Sequence, residues 1–227
     1  MSRPVLYGAP YSVYVRAVRL ALAEKGVAYR LVPIDIFDPA RVPKGYRRRQ
    51  PFGRIPAFAH DGFELYESVA IERYVDEAFA GPKLQPDTAT GRARMGQIVA
   101  VADGHGYRPL VWDLYVERVL RPAQGRPVDE ARAAAAIPKA VTFLAALAAL
   151  KGEGAWMVGD GLSLADLHLA PIFAYFTMLP AAAGLIAPHP GLVAWWQAMR
   201  QRPSMAQTRF PDEIDAAGGS RGIAPAG

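Results

Sequence analysis

The sequence predicts an α+β domain at the amino end, followed by an all-helical domain. Residues 1–80 alternate short apolar runs with helical patterns, in the order strand, helix, strand, strand, strand, helix. That order is typical of a mixed sheet with helices packed against it. A polar linker containing proline is expected over residues 81–90. Residues 91–210 show only helical periodicity, and the Gly- and Ala-rich residues 211–227 predict a flexible tail.

The first domain opens with a short apolar run that ends at Gly8, and a helical pattern follows it as far as Gly26. A second strand is predicted over residues 29–34. Pro33 places this strand at a sheet edge or marks its end, because proline cannot donate to a central ladder.

The next two strands are predicted to form a hairpin. Residues 55–59 and 63–66 are apolar runs that flank Asp61-Gly62, and Asp-Gly between such runs is a strong hairpin signal. A helix over residues 68–79 completes the domain.

Four helical patterns make up the second domain. The first spans residues 91–120 with a bend expected at Pro109, and the second spans residues 128–150, where Pro138 should kink or split the helix. The third begins at Ser163, where Ser163 and Asp166 have the spacing of a capping box and indicate a structural role for Asp166. The fourth runs over residues 190–202.

Composition narrows the classes of function. The 227 residues carry a formal net charge of +5 and contain no cysteine, which excludes a cysteine nucleophile, a disulfide or a thiolate metal site. The basic charge is spread along the chain without a nucleic-acid-binding fingerprint, so a solvated basic surface is favoured over nucleic-acid binding. The four histidines lack metal-ligand spacing, and no metal is expected. Neither a signal peptide nor a membrane span is visible, and we expect a soluble, cytoplasmic protein.

Motifs in both domains carry a resemblance to a known family. They are YGAPYSVYVR (residues 7–16), QPFGRIPAF (50–58), LYESVAI (65–71), SLADLHLAP (163–171), and the pairs His189-Pro190 and Trp195-Trp196 leading to Arg202-Pro203. In this order and spacing, the motifs resemble the cytosolic glutathione transferases, and among them the phi-like branch with an active-site serine. The resemblance covers nearly the whole chain except the tail. It implies a thioredoxin-like first domain, a homodimer and glutathione as cosubstrate.

Ser12 is the candidate catalytic residue. It lies at a strand-to-helix junction, where serine most often caps the helix. The resemblance implies a second role, in which the hydroxyl donates a hydrogen bond to the sulfur of glutathione and favours the thiolate. Tyr7 is a competing activator, because other branches use a tyrosine near this strand, although a half-buried strand aromatic is the preferred interpretation. For Arg16, support of the site and a solvated helical position are equally favoured.

The resemblance also implies how glutathione is held. In this family the proline that matches Pro56 is cis, and the backbone of the residue before it, here Ile55, pairs with the cysteinyl backbone of glutathione. Ser68, at a helix start, would bind the γ-glutamyl carboxylate and Glu67 the ammonium group. A simple helix cap at the same place is compatible with that role.

A basic loop is where the family binds the glycyl carboxylate. The usual His-Lys pair of the phi-like branch is not visible, and Arg41 and Lys44 are the best substitutes. Arg54 stands where that branch usually has glutamine, and an arginine could reach a carboxylate.

Aromatic residues are the candidates for the pocket of the second substrate. They are Tyr11, Tyr14, Tyr107, Trp112 and Tyr115. For the last three, on the first long helix, a place in the core is the more common role of an aromatic stripe.

The expected reaction joins the thiolate of glutathione to a small hydrophobic electrophile. Reductive cleavage, isomerisation and peroxide reduction are alternatives on the same scaffold. A non-catalytic module that binds glutathione or another ligand is an alternative from a different class. The sequence does not identify the electrophile.

Overall fold

The structure is a computed structural model that describes residues 2–38, 40 and 42–213. Within these residues, the first domain contains four strands and three helices: β1 (Val5–Tyr7), α1 (Val13–Glu24), β2 (Arg30–Val32), α2 (Tyr46–Arg49), β3 (Ala57–His60), β4 (Phe63–Tyr66) and α3 (Ser68–Ala78). Most of the predicted tail, residues 214–227, lies outside the described residues.

The four strands form one mixed sheet in the order β2-β1-β3-β4. Strand β1 pairs parallel with β2 and antiparallel with β3. Helices α1 and α3 pack against the sheet and bury Leu6, Val18, Phe58 and Ile71 completely. The predicted α+β sheet is therefore confirmed, and β2 lies at the edge, as Pro33 predicted.

The hairpin between β3 and β4 turns at Asp61 and Gly62. His60 pairs with Phe63 across the turn, and both turn residues have positive φ angles, 48° for Asp61 and 84° for Gly62. Two positive φ angles in a two-residue loop match the right-handed twist of the flanking strands. The Asp-Gly signal thus predicted the hairpin and the position of its turn.

The second domain is helical throughout. Its helices are α4 (Ala89–Val101), which continues in wide π-helical turns over Ala102–Gly106 and Arg108–Leu120, then α5 (Arg121–Ala123), α6 (Glu130–Lys151), α7 (Leu164–Phe176), α8 (Ala182–Ile186), α9 (Pro190–Arg200) and α10 (Pro203–Gln207). The expected bend at Pro109 lies inside the π-helical stretch. In such turns each amide bonds five residues back, as Tyr107 does to Ala102, so the disruption near the proline is spread over several turns.

Pro138 was expected to kink or split its helix, and the structure excludes the split. Helix α6 runs unbroken from Glu130 to Lys151 with Pro138 inside it and exposed to solvent. The opposite face buries Ala136, Ala140 and Phe143 in the domain core. Burial of that face stabilises the helix on both sides of the proline, although the proline donates no backbone hydrogen bond.

Helix α6 is also the one helix of the described chain long and apolar enough to cross a membrane by length and composition alone. Its mean hydropathy of 1.8 comes largely from alanine, and Phe143, Leu144 and Leu147 pack into the protein core. About a third of the apolar window is buried in this way (33%), so packing accounts for part of the apolar character of α6.

Helix α7 is the centre of the second domain, and every residue from Leu164 to Phe176 is buried. The capping box at Ser163 and Asp166 is formed as predicted. Asp166 also accepts hydrogen bonds from the amide of Met157 (2.8 Å) and the indole of Trp195 (2.8 Å). Asp166 therefore has the structural role that its spacing indicated, tying α7 to α9 and to the preceding loop.

Candidate functional site

The sheet register brings three loops to one end of the sheet. Tyr7, the last residue of β1, pairs with Ala57, and Ala57 pairs with Tyr66, the last residue of β4. The segment after Tyr7 leads to Ser12, the segment before Ala57 contains Ile55-Pro56, and the segment after Tyr66 is Glu67-Ser68. Three of the segments that the sequence singled out thus lie at the same end of the sheet.

Ser12 caps helix α1. Its hydroxyl oxygen accepts a hydrogen bond from the amide of Val15 at 3.3 Å, and no acidic residue lies in the first turn. The hydroxyl proton has no acceptor in the part of the chain that the structure describes. Ser12 is thus a helix cap that still has one proton to donate, at a helix end whose dipole favours an anion.

The turn that delivers Ser12 is closely packed. A Cβ atom on Gly8 would lie 2.3 Å from Cγ2 of Val15, so only glycine allows this approach of β1 to α1. Tyr7 is partly buried in the strand, with the Arg49 guanidinium 4.4 Å from the centre of its ring. Tyr7 has the partly buried strand position that was preferred for it.

The Ile55-Pro56 peptide bond is cis, as the resemblance implied. The loop is braced from α2, where the Tyr46 hydroxyl donates to the carbonyl of Arg54 (2.8 Å) and Gln50 accepts from the Arg54 amide (3.1 Å). Among the described residues, none forms a hydrogen bond with the backbone N–H or C=O of Ile55. These two groups are available to a ligand.

Glu67 and Ser68 begin helix α3. Glu67 has φ 70° and ψ 115°, an unusual conformation for a residue with a side chain, and its carboxylate is exposed. Such conformations cluster at sites that bind ligands. The amides of the first turn are not used within the helix, and the Ser68 hydroxyl has no hydrogen-bond partner in the described chain. This helix start offers donors to a carboxylate, with an acidic side chain beside them.

The three basic residues predicted to bind glutathione differ in their positions. Arg41 lies outside the described residues. Lys44 is exposed, just before Gly45, whose φ of 88° turns the loop into α2. Arg54 is exposed. Burial raises the pKa of both Tyr14 and Tyr107, and the positive charge of Arg54 acts against this by lowering both pKa values. Arg54 therefore acts electrostatically on two of the predicted pocket residues.

Four of the five predicted pocket aromatics belong to two neighbouring contacts between the domains. The ring of Tyr14 lies 4.9 Å from that of Tyr107. Phe37 lies 5.6 Å from Tyr11 and 6.1 Å from Trp112 and so connects them. These aromatic contacts join the start of α1 to the first long helix of the second domain.

Tyr115 has a different position. Its side chain is buried, its ring lies 4.3 Å from that of Tyr175, and its hydroxyl donates to Asp212. It therefore lies in a packed cluster of the second domain and exposes almost no surface to a ligand.

The side chain of Arg16 is neither hydrogen-bonded to the loop of Ser12 nor solvated, the two positions that the sequence suggested. It is fully buried, its guanidinium pairs with Glu213, and it donates to the carbonyl of Met205 at 3.1 Å. The same guanidinium lies 4.2 Å from the centre of the Phe210 ring. Arg16 thus fastens the segment after α10 onto α1, a contact across nearly 200 residues that no local pattern could reveal.

Sequence reasoning also missed two residues that contact the predicted pocket aromatics, Phe37 and Asp35. Phe37 is 64% exposed although it is large and apolar. Asp35 accepts a hydrogen bond from the Tyr11 hydroxyl at 2.8 Å, and burial together with this carboxylate raises the pKa of Tyr11. Both lie in an irregular loop after β2 where periodicity gives no signal, and only the run of apolar residues before Asp38 could have drawn attention to them.

Comparison with known proteins identifies the two domains. Residues 6–83 match the N-terminal domain of glutathione S-transferases, and residues 111–203 match their C-terminal domain. Glutathione S-transferase 3 of Zea mays is 30% identical over 203 residues, which is 89% of this chain and 91% of the maize protein. Glutathione S-transferase F13 of Arabidopsis thaliana is 29% identical over 88% of this chain and 91% of its own length.

Solved structures give the same result. Glutathione S-transferase III in its apo form superposes with a TM-score of 0.81 at 31% identity and covers 92% of this chain and 98% of its own. Glutathione S-transferase I from maize, in complex with an atrazine glutathione conjugate, superposes with a TM-score of 0.77 at 25% identity, covering 91% and 96%. This chain belongs to the glutathione transferase family, among relatives of the phi class.

Proposed function

We propose that the protein transfers the thiolate of glutathione to a small hydrophobic electrophile, with Ser12 as the catalytic residue. The observation that carries the proposal is that the Ser12 hydroxyl, at the amino end of α1, has no acceptor for its proton among the described residues. A donor and a helix N-terminus together favour the ionised form of a thiol placed there. The chain itself supplies no thiol, because it contains no cysteine.

Glutathione would be held at the end of the sheet where these three segments lie. The backbone of Ile55, in the loop with Pro56, pairs with the cysteinyl unit, Ser68 and the first amides of α3 bind the γ-glutamyl carboxylate, and Glu67 binds its ammonium group. The glycyl carboxylate is assigned to the basic side chains of the loop, which are Arg41, Lys44 and Arg54.

The chemical step is a nucleophilic attack. The thiol releases its proton to solvent, and the Ser12 hydroxyl donates a hydrogen bond to the resulting sulfur anion. The sulfur forms a bond to an electrophilic carbon of the second substrate, and a leaving group departs with the electron pair of the bond that breaks. Positioning and stabilisation of the anion are the contributions of the protein, and no metal is required.

The second substrate would lie against the rings of Tyr11, Tyr14, Tyr107 and Trp112. The buried Tyr115 contacts Tyr175 and Asp212 instead. The maize relative was solved in complex with an atrazine glutathione conjugate, and planar apolar compounds suit a surface of aromatic rings. We therefore expect activated aromatic compounds to be better substrates than aliphatic ones.

We also propose a homodimer that works in the cytoplasm, with no nucleic-acid or membrane partner. Phe52 and Phe63 are 67% and 50% exposed on the first domain, and exposed apolar groups of this kind often mark an interface. Light scattering at working concentration tests the dimer, and a monomer would refute it.

The test of the proposed function is a titration of the thiolate absorbance of glutathione, with and without saturating protein. We expect the bound thiol to ionise at clearly lower pH than the free thiol, which has a pKa of about 8.5. Binding without such a shift would favour the non-catalytic module, and no binding would refute the function altogether.

A further inference from the structure

Tyr175 is a residue of the second domain that reaches the loop of Ser12. It lies in helix α7 and is 5% exposed. Its hydroxyl donates a hydrogen bond of 2.8 Å to the carbonyl oxygen of Tyr11. Tyr11 immediately precedes Ser12, so the bond is made to the peptide group that joins these two residues.

That peptide group is held at both ends. Its carbonyl accepts from Tyr175, and its N–H, which belongs to Ser12, donates to the carbonyl of Ala9 at 3.1 Å. Two hydrogen bonds in opposite directions fix the plane of a peptide group. The Ser12 Cα atom lies in that plane, and from that Cα atom the cap contact with the Val15 amide orients the hydroxyl.

The ring of Tyr175 has little freedom of its own. It stacks on Phe210 with ring centres 4.0 Å apart and an angle of 12°, and it contacts Tyr115 at 4.3 Å. Phe210 is in turn covered by the guanidinium of Arg16. The hydroxyl of Tyr175 is therefore presented to the loop by a packed aromatic stack.

The hydroxyl also remains a donor over the working range of pH. Burial, and then the negative charge of Asp212, raise the pKa of Tyr175. A phenol that keeps its proton can donate continuously to the carbonyl of Tyr11, whereas a phenolate would repel it.

We propose that Tyr175 is a positioning residue for catalysis: its hydroxyl, through the Tyr11–Ser12 peptide group, aims the Ser12 hydroxyl at the sulfur of glutathione. This inference rests on the proposed function of Ser12. It implies that the second domain contributes to activation of the thiol as well as to the pocket for the electrophile. The parts assigned to binding glutathione, at Ile55 and Ser68, do not depend on this contact.

The test is Tyr175→Phe, which removes the hydroxyl and keeps the aromatic stack. We expect kcat near neutral pH to fall about tenfold, as for the loss of one well-placed hydrogen bond, with KM for glutathione nearly unchanged. The bound thiol should ionise at higher pH than in the wild-type protein. Tyr74→Phe is the matched control. It also removes one hydrogen bond of a tyrosine hydroxyl, at 2.9 Å to His60, in a contact between α3 and β3.

The outcomes separate the inference from the function on which it rests. If Tyr175→Phe lowers the melting temperature but leaves kcat and thiol ionisation as in the wild type, Tyr175 is only structural and the inference is wrong. An equal loss of activity in Tyr74→Phe would overturn it as well. If the wild-type protein does not lower the pKa of the bound thiol, the proposed function itself fails.

Discussion

At the scale of single residues, Ser12 combines two roles that looked like alternatives in the sequence. Its oxygen caps α1 by accepting from Val15, and its proton remains available. A serine hydroxyl can accept and donate at once, so the cap orients the group that would act on the thiol. The structural role supports the catalytic one.

Ser12→Ala removes both the cap and the donor, and a matched variant can separate the two. We expect kcat to fall about 100-fold, as for the loss of one donor to a developing anion, and stability to fall by about 1 kcal/mol from the lost cap. Thr88→Ala removes a similar cap at α4, where Thr88 accepts from the Gly91 amide at 3.0 Å. Steady-state kinetics and urea unfolding of both variants measure the two effects. Equal loss of activity in both variants would show that Ser12 acts only as a cap.

How far the sequence predicted single residues depended on whether their signal is local. Asp166 follows from a four-residue motif, and the cis bond before Pro56 was expected from the family resemblance. Arg16 and Phe37 were missed or misread because their surroundings are built by chain segments far apart in sequence. The roles of the glutathione-binding residues stay predictions, since only a ligand complex or kinetics can test them.

At the scale of elements, long periodic segments were predicted well and short ones were not. The helices of α1, α3, α6, α7 and α9 and the β3–β4 hairpin all had a clear pattern. Helices α2, α8 and α10 have four or five residues each, which is too few to show a period. Packing stabilises them, α2 against strand β4 and α8 and α10 against longer helices. The split at Pro138, one of the two outcomes expected there, did not occur because tertiary burial outweighed a local penalty.

Pro138 is therefore expected to destabilise helix α6, and a substitution can remove this penalty. Pro138→Ala restores a backbone donor at an exposed position, and we expect the free energy of unfolding to rise by about 1–3 kcal/mol. Pro171→Ala in α7 is the comparison, because Pro171 is buried and its removal would also leave a void. Urea unfolding of the two variants measures the difference. If Pro138→Ala were no more stable than the wild type, α6 would already accommodate the proline without penalty.

At the scale of the whole molecule, a buried histidine with two acidic partners, one buried and one exposed, joins the two domains. His168 in α7 bonds Glu72 in α3 at 3.1 Å and Asp103 at 2.9 Å. Burial disfavours the charged imidazole, but the two carboxylates outweigh it and raise the pKa of His168 to about 10. Burial also raises the pKa of Glu72, an effect that the neighbouring His168 opposes. The hydrogen bonds of His168 thus link the first domain to the second, and no motif in the sequence predicted them.

The pH dependence of stability follows from this group. Because the folded pKa of His168 lies above the unfolded value of 6.5, its contribution is complete below pH 6.5 and is lost as the pH rises toward 10. We expect His168→Gln to lower the free energy of unfolding by about 3–5 kcal/mol near neutral pH, since two carboxylates lose their partner.

The measurement is urea unfolding between neutral pH and pH 10, with His105→Gln as the control at an exposed histidine. The wild type and the control should lose stability over this range, and His168→Gln should lose less. Parallel curves for all three proteins would mean that His168 is not charged in the folded state.

The free backbone of Ile55 has an evolutionary consequence. A peptide N–H and C=O are the same whatever amino acid supplies them, so a contact made by this backbone would survive mutation of the side chain that carries it. The aromatic residues around Phe37 offer no such protection, because each replacement there changes the surface itself. Over many generations, a chain of this design would inherit its cosubstrate while remaining free to change the compounds it acts upon.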